Sequence, residues 1–214
     1  AGPLDPNRMI VDCYTHTWES PEQLGLDVGT LHGPLAGGEA AGGANRSRHL
    51  AAAEPVDTTI VLGFASKHLG VRIDNDQVAG YVRRHPDRLL GFAGIDPREP
   101  KEAIVEIERA KAELAMPGVA VAPAAQDFHP SNSKAMLVYA EAAQRGMPIL
   151  FHTGIFISSA TKLEYGQPVL LDEVARELPK LRMIIAHMGY PWVNETIVLL
   201  AKHPHVYAEI SWLL

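Results

Sequence analysis

VDCYTHTWE, residues 11–19, decides between two folds. Ile10 and Val11 read as strand-formers, and the run passes at once into Asp12, Tyr14 and His16, with Trp18 behind them. Side chains alternate along an extended segment, so Asp12, Tyr14 and His16 are expected on one face. Histidines at both of the last two positions would make a two-ligand metal clip; here tyrosine holds the first. The stretch also contains no glycine, which matters once the rest of the chain is laid out.

From Pro55 onward, short apolar runs alternate with amphipathic ones. TTIVLGF (58–64), LLGFAGI (89–95), GVAVAP (118–123), PILFHTG (148–154), RMIIAHMG (182–189) and HVYAEIS (205–211) read as strands. Between them, 74–86, 100–114, 131–146, 168–181 and 191–204 carry helical spacing, with Asp74 and Ser131 as expected N-caps. This alternation predicts βαβ units and a parallel sheet with strands near residues 9, 59, 89, 118, 148, 182 and 205.

A doubly wound sheet and a (β/α)8 TIM barrel both accept that pattern. The doubly wound dinucleotide fold requires a glycine-rich turn after its first strand, and CYTHTWE has none. Polar residues at the C-terminal ends of several strands point to a barrel, whose catalytic groups occupy that rim. The expectation is an α/β single TIM-barrel domain over 1–214, truncated after the seventh strand. Residues 31–44, rich in glycine and alanine, read as a flexible loop over the rim, and 45–54 as helical.

Composition narrows the function. A 214-residue chain with 47% hydrophobic content buries one sizeable core. The formal charge of -6, with no basic stripe, argues against a nucleic-acid partner. No apolar run approaches the roughly 18–20 residues of a membrane span, so no membrane partner is expected. AGPLDPNR has neither the basic nor the apolar region of a signal peptide. Cys13 is the only cysteine, which fits a reducing compartment and a packing role. A cytoplasmic location is the expectation.

Of ten histidines, His32, His49, His68, His85, His203 and His205 read as surface or capping residues. His16, His152 and His187 stand apart, each at the C-terminal end of a different predicted strand. In a barrel all three face one rim pocket, where neutral imidazoles bind a divalent metal or move protons; packed core histidines are the alternative. His129, in DFHP after the fourth strand, is a further rim candidate for substrate contact.

The blocks MIVDCYTHTWE, GVAVAPAAQDFHPSN, PILFHTG and IIAHMGYPWVNETIVLLAKHPHVYAEIS, in that order, resemble the amidohydrolase-related family. This is the metal-dependent TIM-barrel group that includes aminocarboxymuconate-semialdehyde decarboxylase. The resemblance implies one zinc-like divalent ion, held by a first-strand His-x-His, a fifth-strand His and an Asp after the eighth strand, with the sixth-strand His as acid/base. On this chain His16 and His152 match two metal ligands and His187 the catalytic acid/base. The Asp is expected beyond Leu214, and a homodimer is the family expectation.

Two departures stand out. Tyr14 replaces the first histidine, and the fourth-strand block has Ala120 and Ala122 where a lysine often lies. A phenol with a pKa of about 10 is a poor ligand at neutral pH, so Tyr14 is read with Trp18 and His129 as substrate-binding. The expected function is a metal-dependent hydrolase or non-oxidative decarboxylase of a small carboxylated or cyclic substrate. The alternative is a degenerate, metal-free barrel that binds a small molecule or a protein.

Overall fold

Parallel strands packed on both faces need apolar side chains on both faces, which is why these strands read as near-continuous aliphatic runs. In the computed structural model, which describes residues 9–20, 23 and 46–213, seven such runs form one sheet. They are β1 (Val11–Thr15), β2 (Thr58–Leu62), β5 (Leu89–Gly94), β6 (Gly118–Val121), β7 (Ile149–Phe151), β8 (Met183–Ile185) and β9 (Val206–Ala208). The helices are α1 (Arg46–Ala52), α2 (Asn75–Val82), α3 (Pro100–Ala112), α4 (Ser133–Gln144), α5 (Leu171–Glu177) and α6 (Val193–Lys202). The loop expected over 31–44 lies outside the described residues.

The sheet order is β1-β2-β5-β6-β7-β8-β9, with every neighbouring pair parallel. A doubly wound sheet reverses its order at a switch point. This one never does, so each crossover steps in the same direction, as in a barrel. One hydrogen bond shows the curl. Tyr14, in β1, places its hydroxyl 2.8 Å from Nδ1 of His152, the residue after β7. Those strands are four places apart, roughly 19 Å in a flat sheet at about 4.8 Å per strand. Only a sheet rolled towards closure brings them into contact.

Parity sorts the core into two layers. Ile60, Leu62, Phe92, Ala120, Leu150 and Ala186 fill the barrel interior with Cys13, Tyr14 and Ile184. The alternate residues Val61, Ala93, Val119, Ile149, Phe151 and Met183 pack outward against Val78, Ile107, Val138 and Val174 of the helices. Each fully buried aliphatic side chain contributes about 1.5–3 kcal/mol. No helix among the described residues is long and apolar enough to cross a membrane.

Local differences from the sequence reading have local causes. A short antiparallel hairpin, β3 (Phe64–Ser66) with β4 (Val71–Ile73), follows β2 and turns at Gly70, whose φ of 65° suits glycine. The N-cap of α4 is Asn132, whose side chain accepts the Lys134 N–H, while Ser131 turns to His129. The helix expected over 168–181 is only α5, preceded by a 3-10 turn over Pro168–Leu170 and ended before Pro179. In β1, three residues span what two span in β2, between Asp12 and Thr15, so strict alternation breaks there.

The loop after β2 and the end of β5 approach closely. A Cβ on Gly94 would lie 2.3 Å from the Phe64 nitrogen, and one on Gly63 2.0 Å from the Asn75 side chain. Asn75 stitches this seam by accepting the Gly94 N–H at 2.8 Å and donating to the Gly94 carbonyl at 3.1 Å. Asn75→Ala is expected to cost about 1–3 kcal/mol by leaving both backbone groups unpaired, and Gly94→Ala about as much through overpacking. Urea denaturation midpoints check both.

Candidate active site

His16 follows β1 directly, and its Nδ1 lies 3.1 Å from the Leu62 carbonyl. A carbonyl only accepts, so Nδ1 carries the proton and Nε2 is the free nitrogen. His152 continues the inward parity of Leu150 past the end of β7, and its backbone N–H bonds Val121 at 2.8 Å. The Tyr14 hydroxyl takes its Nδ1, while its Nε2 is enclosed and without a hydrogen-bond partner. The Tyr14 ring sits among all three histidines, with centroids 5.2 Å from His16, 5.6 Å from His152 and 4.5 Å from His187.

Burial holds the imidazoles of His16 and His152 uncharged. It lowers the His16 pKa to about 4, against an opposing effect of the Leu62 bond, and that of His152 to about 3, with His187 and His16 adding to the effect. Burial, then the Glu209 charge, pushes the Tyr14 phenol above its usual range, so it stays protonated. Two neutral imidazoles with free Nε2 atoms suit a divalent cation, and the orphaned Nε2 of His152 is the observation that fits one. Tyr14 is not placed to join them. The two nitrogens of an imidazole diverge, so a cation on Nε2 lies across the ring from the hydroxyl on Nδ1. Among the described residues no three His, Cys, Asp or Glu side chains converge as a ligand set.

The third histidine is held differently. His187 follows β8 in a left-handed conformation, φ 56°, and so does Met188, φ 49°. Such backbone costs of order 1–3 kcal/mol per residue and persists only where the surroundings over-determine it. Glu209, just past β9, supplies much of that. Its carboxylate accepts the His187 backbone N–H at 2.5 Å and the Ser211 N–H at 2.7 Å, and its Oε1 lies 3.0 Å from His187 Nδ1. Its own backbone carbonyl takes the Met188 N–H at 2.9 Å. The Ser211 hydroxyl is 2.8 Å from the same ring nitrogen. Burial alone would raise the Glu209 carboxyl, but bonds from His187 and Ser211 bring it below the ordinary range.

A sequence model of the amidohydrolase family matches residues 11–214. The chain belongs to the amidohydrolase family. Its barrel is similar to an uncharacterised TIM-barrel protein from Bordetella bronchiseptica, at 20% identity and TM-score 0.76, covering 95% of this chain and 75% of that one. It is similar also to 5-carboxyvanillate decarboxylase from Sphingomonas paucimobilis, at 16% identity and TM-score 0.65, covering 95% and 77%. A third is 2,6-dihydroxybenzoate decarboxylase from Rhizobium, at 17% identity and TM-score 0.65, covering 85% and 67%.

Within this amidohydrolase barrel the structure brings Tyr14, His16, His152 and His187 together and leaves two expected substrate contacts outside the cluster. Trp18 is half-buried two residues past His16, with no ring contact to the cluster among the described residues. His129 lies past β6, its Nδ1 3.2 Å from the Ser131 N–H and its ring 6.0 Å from Tyr165. His49 is no surface residue: it bridges Thr15 at 2.9 Å and Tyr81 at 3.0 Å, pinning α1 to β1 and α2. His203 is also buried, 2.7 Å from Asp172. Glu209 was missed altogether, although a lone carboxylate ending the apolar run HVYA was a signal of the same kind as His152 after PILF.

Glu209→Ala is expected to destabilise the fold by about 1–3 kcal/mol, because buried donors lose their acceptor. The sign with pH follows from the lowered carboxyl. Its stabilisation is present above the unfolded value of about 4.3 and is lost as pH falls through the lower folded value. The stability gap between the native chain and Glu209→Gln therefore narrows as pH falls from 6 to about 3.5. Urea titrations at several pH values measure it.

Proposed function

We propose that the barrel is that of a metal-dependent hydrolase or non-oxidative decarboxylase acting on a small carboxylated, aromatic or cyclic substrate. The observation that carries this is that His16, His152 and His187 all pack around the Tyr14 ring at one mouth, with Glu209 behind His187. Family membership supports it, as do barrel relatives named as decarboxylases of hydroxylated benzoates. One such relative, 5-carboxyvanillate decarboxylase from Novosphingobium aromaticivorans, is complexed with manganese and a nitrobenzoic acid.

His16 and His152 would hold the cation through Nε2, zinc being our first candidate. When bound, the ion supplies Lewis-acid polarisation of a carboxylate or activation of a water. The remaining steps belong to side chains. His187, its Nδ1–H held by the Ser211 hydroxyl and carbonyl oxygens with the Glu209 carboxylate 3.0 Å away, presents Nε2 as the nitrogen that moves a proton: onto the carbon that loses carbon dioxide, or onto the leaving group of a hydrolysis. The Glu209 carboxylate stabilises the imidazolium that this exchange requires, and the left-handed turn fixes the ring against Tyr14. Trp18 and His129 contribute substrate contacts from the rim.

Tyr14 favours a second reading, a metal-free binding barrel, because it leaves the first strand with one imidazole. One experiment separates the two. The full protein, purified with zinc or manganese supplied, is analysed for bound metal and assayed on hydroxylated benzoates and lactones. The enzyme reading expects stoichiometric metal, turnover abolished by chelation, and a loss of roughly 10²–10⁴-fold in His187→Ala. Absence of both metal and turnover, with a substrate analogue still bound, establishes the binding barrel instead.

A further inference from the structure

Past the ends of β6 and β7, two polar side chains gather around the ring of a third, Tyr165. The Lys162 ammonium lies 3.1 Å from the Tyr165 hydroxyl and 4.8 Å from the ring centroid, and the His129 ring centroid is 6.0 Å away. His129 comes from the loop after β6, and Lys162 and Tyr165 from the 3-10 turn Leu163–Gly166 and its N-cap, after β7. That turn is fixed beside the histidine cluster. Gly154, two residues past His152, donates its N–H to the Gly166 carbonyl at 2.8 Å, and a Cβ on Gly166 would lie 2.2 Å from the Gly154 carbonyl oxygen. Both loops belong to the C-terminal rim, the face on which barrel loops meet substrate.

Counting hydrogens shows what this group offers. The Ser131 backbone N–H donates to His129 Nδ1 at 3.2 Å, so that nitrogen carries a lone pair and the ring proton of the neutral imidazole is on Nε2. An ammonium only donates, so the Tyr165 oxygen accepts from Lys162 and its own hydrogen is left over. Neither the His129 Nε2–H nor the Tyr165 O–H has an acceptor among the described residues. The nearest carboxylate, Asp127, lies 3.7 Å from Lys162 and is shared with Arg98 at 3.9 Å, while Glu164 on the same turn is exposed. The charges therefore balance, and a surplus of donors remains. We propose that His129, Lys162 and Tyr165 form a subsite for an oxyanion of the substrate, a carboxylate or phenolate distinct from the group that reacts. That the oxyanion belongs to a substrate rests on the function proposed above, and it makes that substrate an acid with a second anionic group.

The full chain, free of metal, is titrated with isophthalate and with isophthalamide, its neutral counterpart, while NMR follows the side-chain signals of His129, Lys162 and Tyr165. Isophthalate is expected to move all three along one saturation curve, and isophthalamide to leave them in place. Lys162→Met is expected to weaken that binding about tenfold, the scale of one charge-assisted hydrogen bond, and Tyr165→Phe several-fold. Lys162→Arg, which keeps the charge, is expected to retain it. A lysine that merely ties the turn to Asp127 would show no such dependence on the charge of the ligand. No movement with isophthalate, an equal response to the two compounds, or undiminished affinity in both Lys162→Met and Tyr165→Phe overturns the proposal, and the first two outcomes need no variant to fold. Metal and turnover are read separately. Isophthalate held by the three residues in a chain that takes up no metal leaves the subsite standing and the metal-dependent reading fallen. Metal uptake and turnover with no response at the three residues remove the subsite alone.

Discussion

The hydrogen bond between Tyr14 and His152 joins the first and fifth strands of the sheet, and the rest of the site depends on the curl it records. No residue of β1 reaches β7 unless every intervening pair adds its share of rotation. The interior residues permit this. Ala120 and Ala186 stand where larger side chains would hold the walls apart, while Ile60, Leu62, Phe92 and Leu150 fill the lower barrel. The polar mouth is therefore a consequence of packing below it.

Enclosure then sets the chemistry. An imidazole in water is near half-charged at slightly acid pH, but here burial keeps His16 and His152 neutral well below that range. A neutral imidazole has one proton, so an oxygen partner on one nitrogen dictates what the other can do. The fold supplies that oxygen from another strand each time: from adjacent β2 for His16, from β1, four places away, for His152, and from the segment just past adjacent β9 for His187. Chain order plays no part in this, and strand adjacency or curl accounts for all of it.

That difference separates what the sequence made legible from what it did not. Strand number, parallel order and the rim position of the three histidines follow from periodicity, because both sheet faces must be apolar and the apolar runs must end where chemistry begins. The phenol of Tyr14 was recognisable as a poor ligand from its pKa alone. Where its hydroxyl goes was not, since its partner is 138 residues away and meets it only in the curled sheet. Glu209 escaped for a related reason. Its role depends on the left-handed backbone at His187, and no propensity in RMIIAHMG announces that conformation. His49 read as a surface or capping residue because its partners, Thr15 and Tyr81, lie on separate elements. The hairpin β3–β4 hid behind β2, its strands being too short for a period to show.

The left-handed turn at His187 carries the last step. A strand that continued straight would send residue 187 along the barrel wall, in line with Ile185 and facing the helices. Two consecutive residues with φ near 50° instead swing the imidazole to within 4.5 Å of the Tyr14 ring centroid. The strain is tolerated because Glu209 binds the backbone N–H of His187 with its carboxylate and that of Met188 with its carbonyl. The same carboxylate then faces the ring nitrogen of His187. One residue thus holds the backbone in the conformation that presents the histidine and supplies the charge that lets the histidine accept a proton. Backbone geometry and proton chemistry at this site have a common origin in Glu209, and a substitution there disturbs both at once.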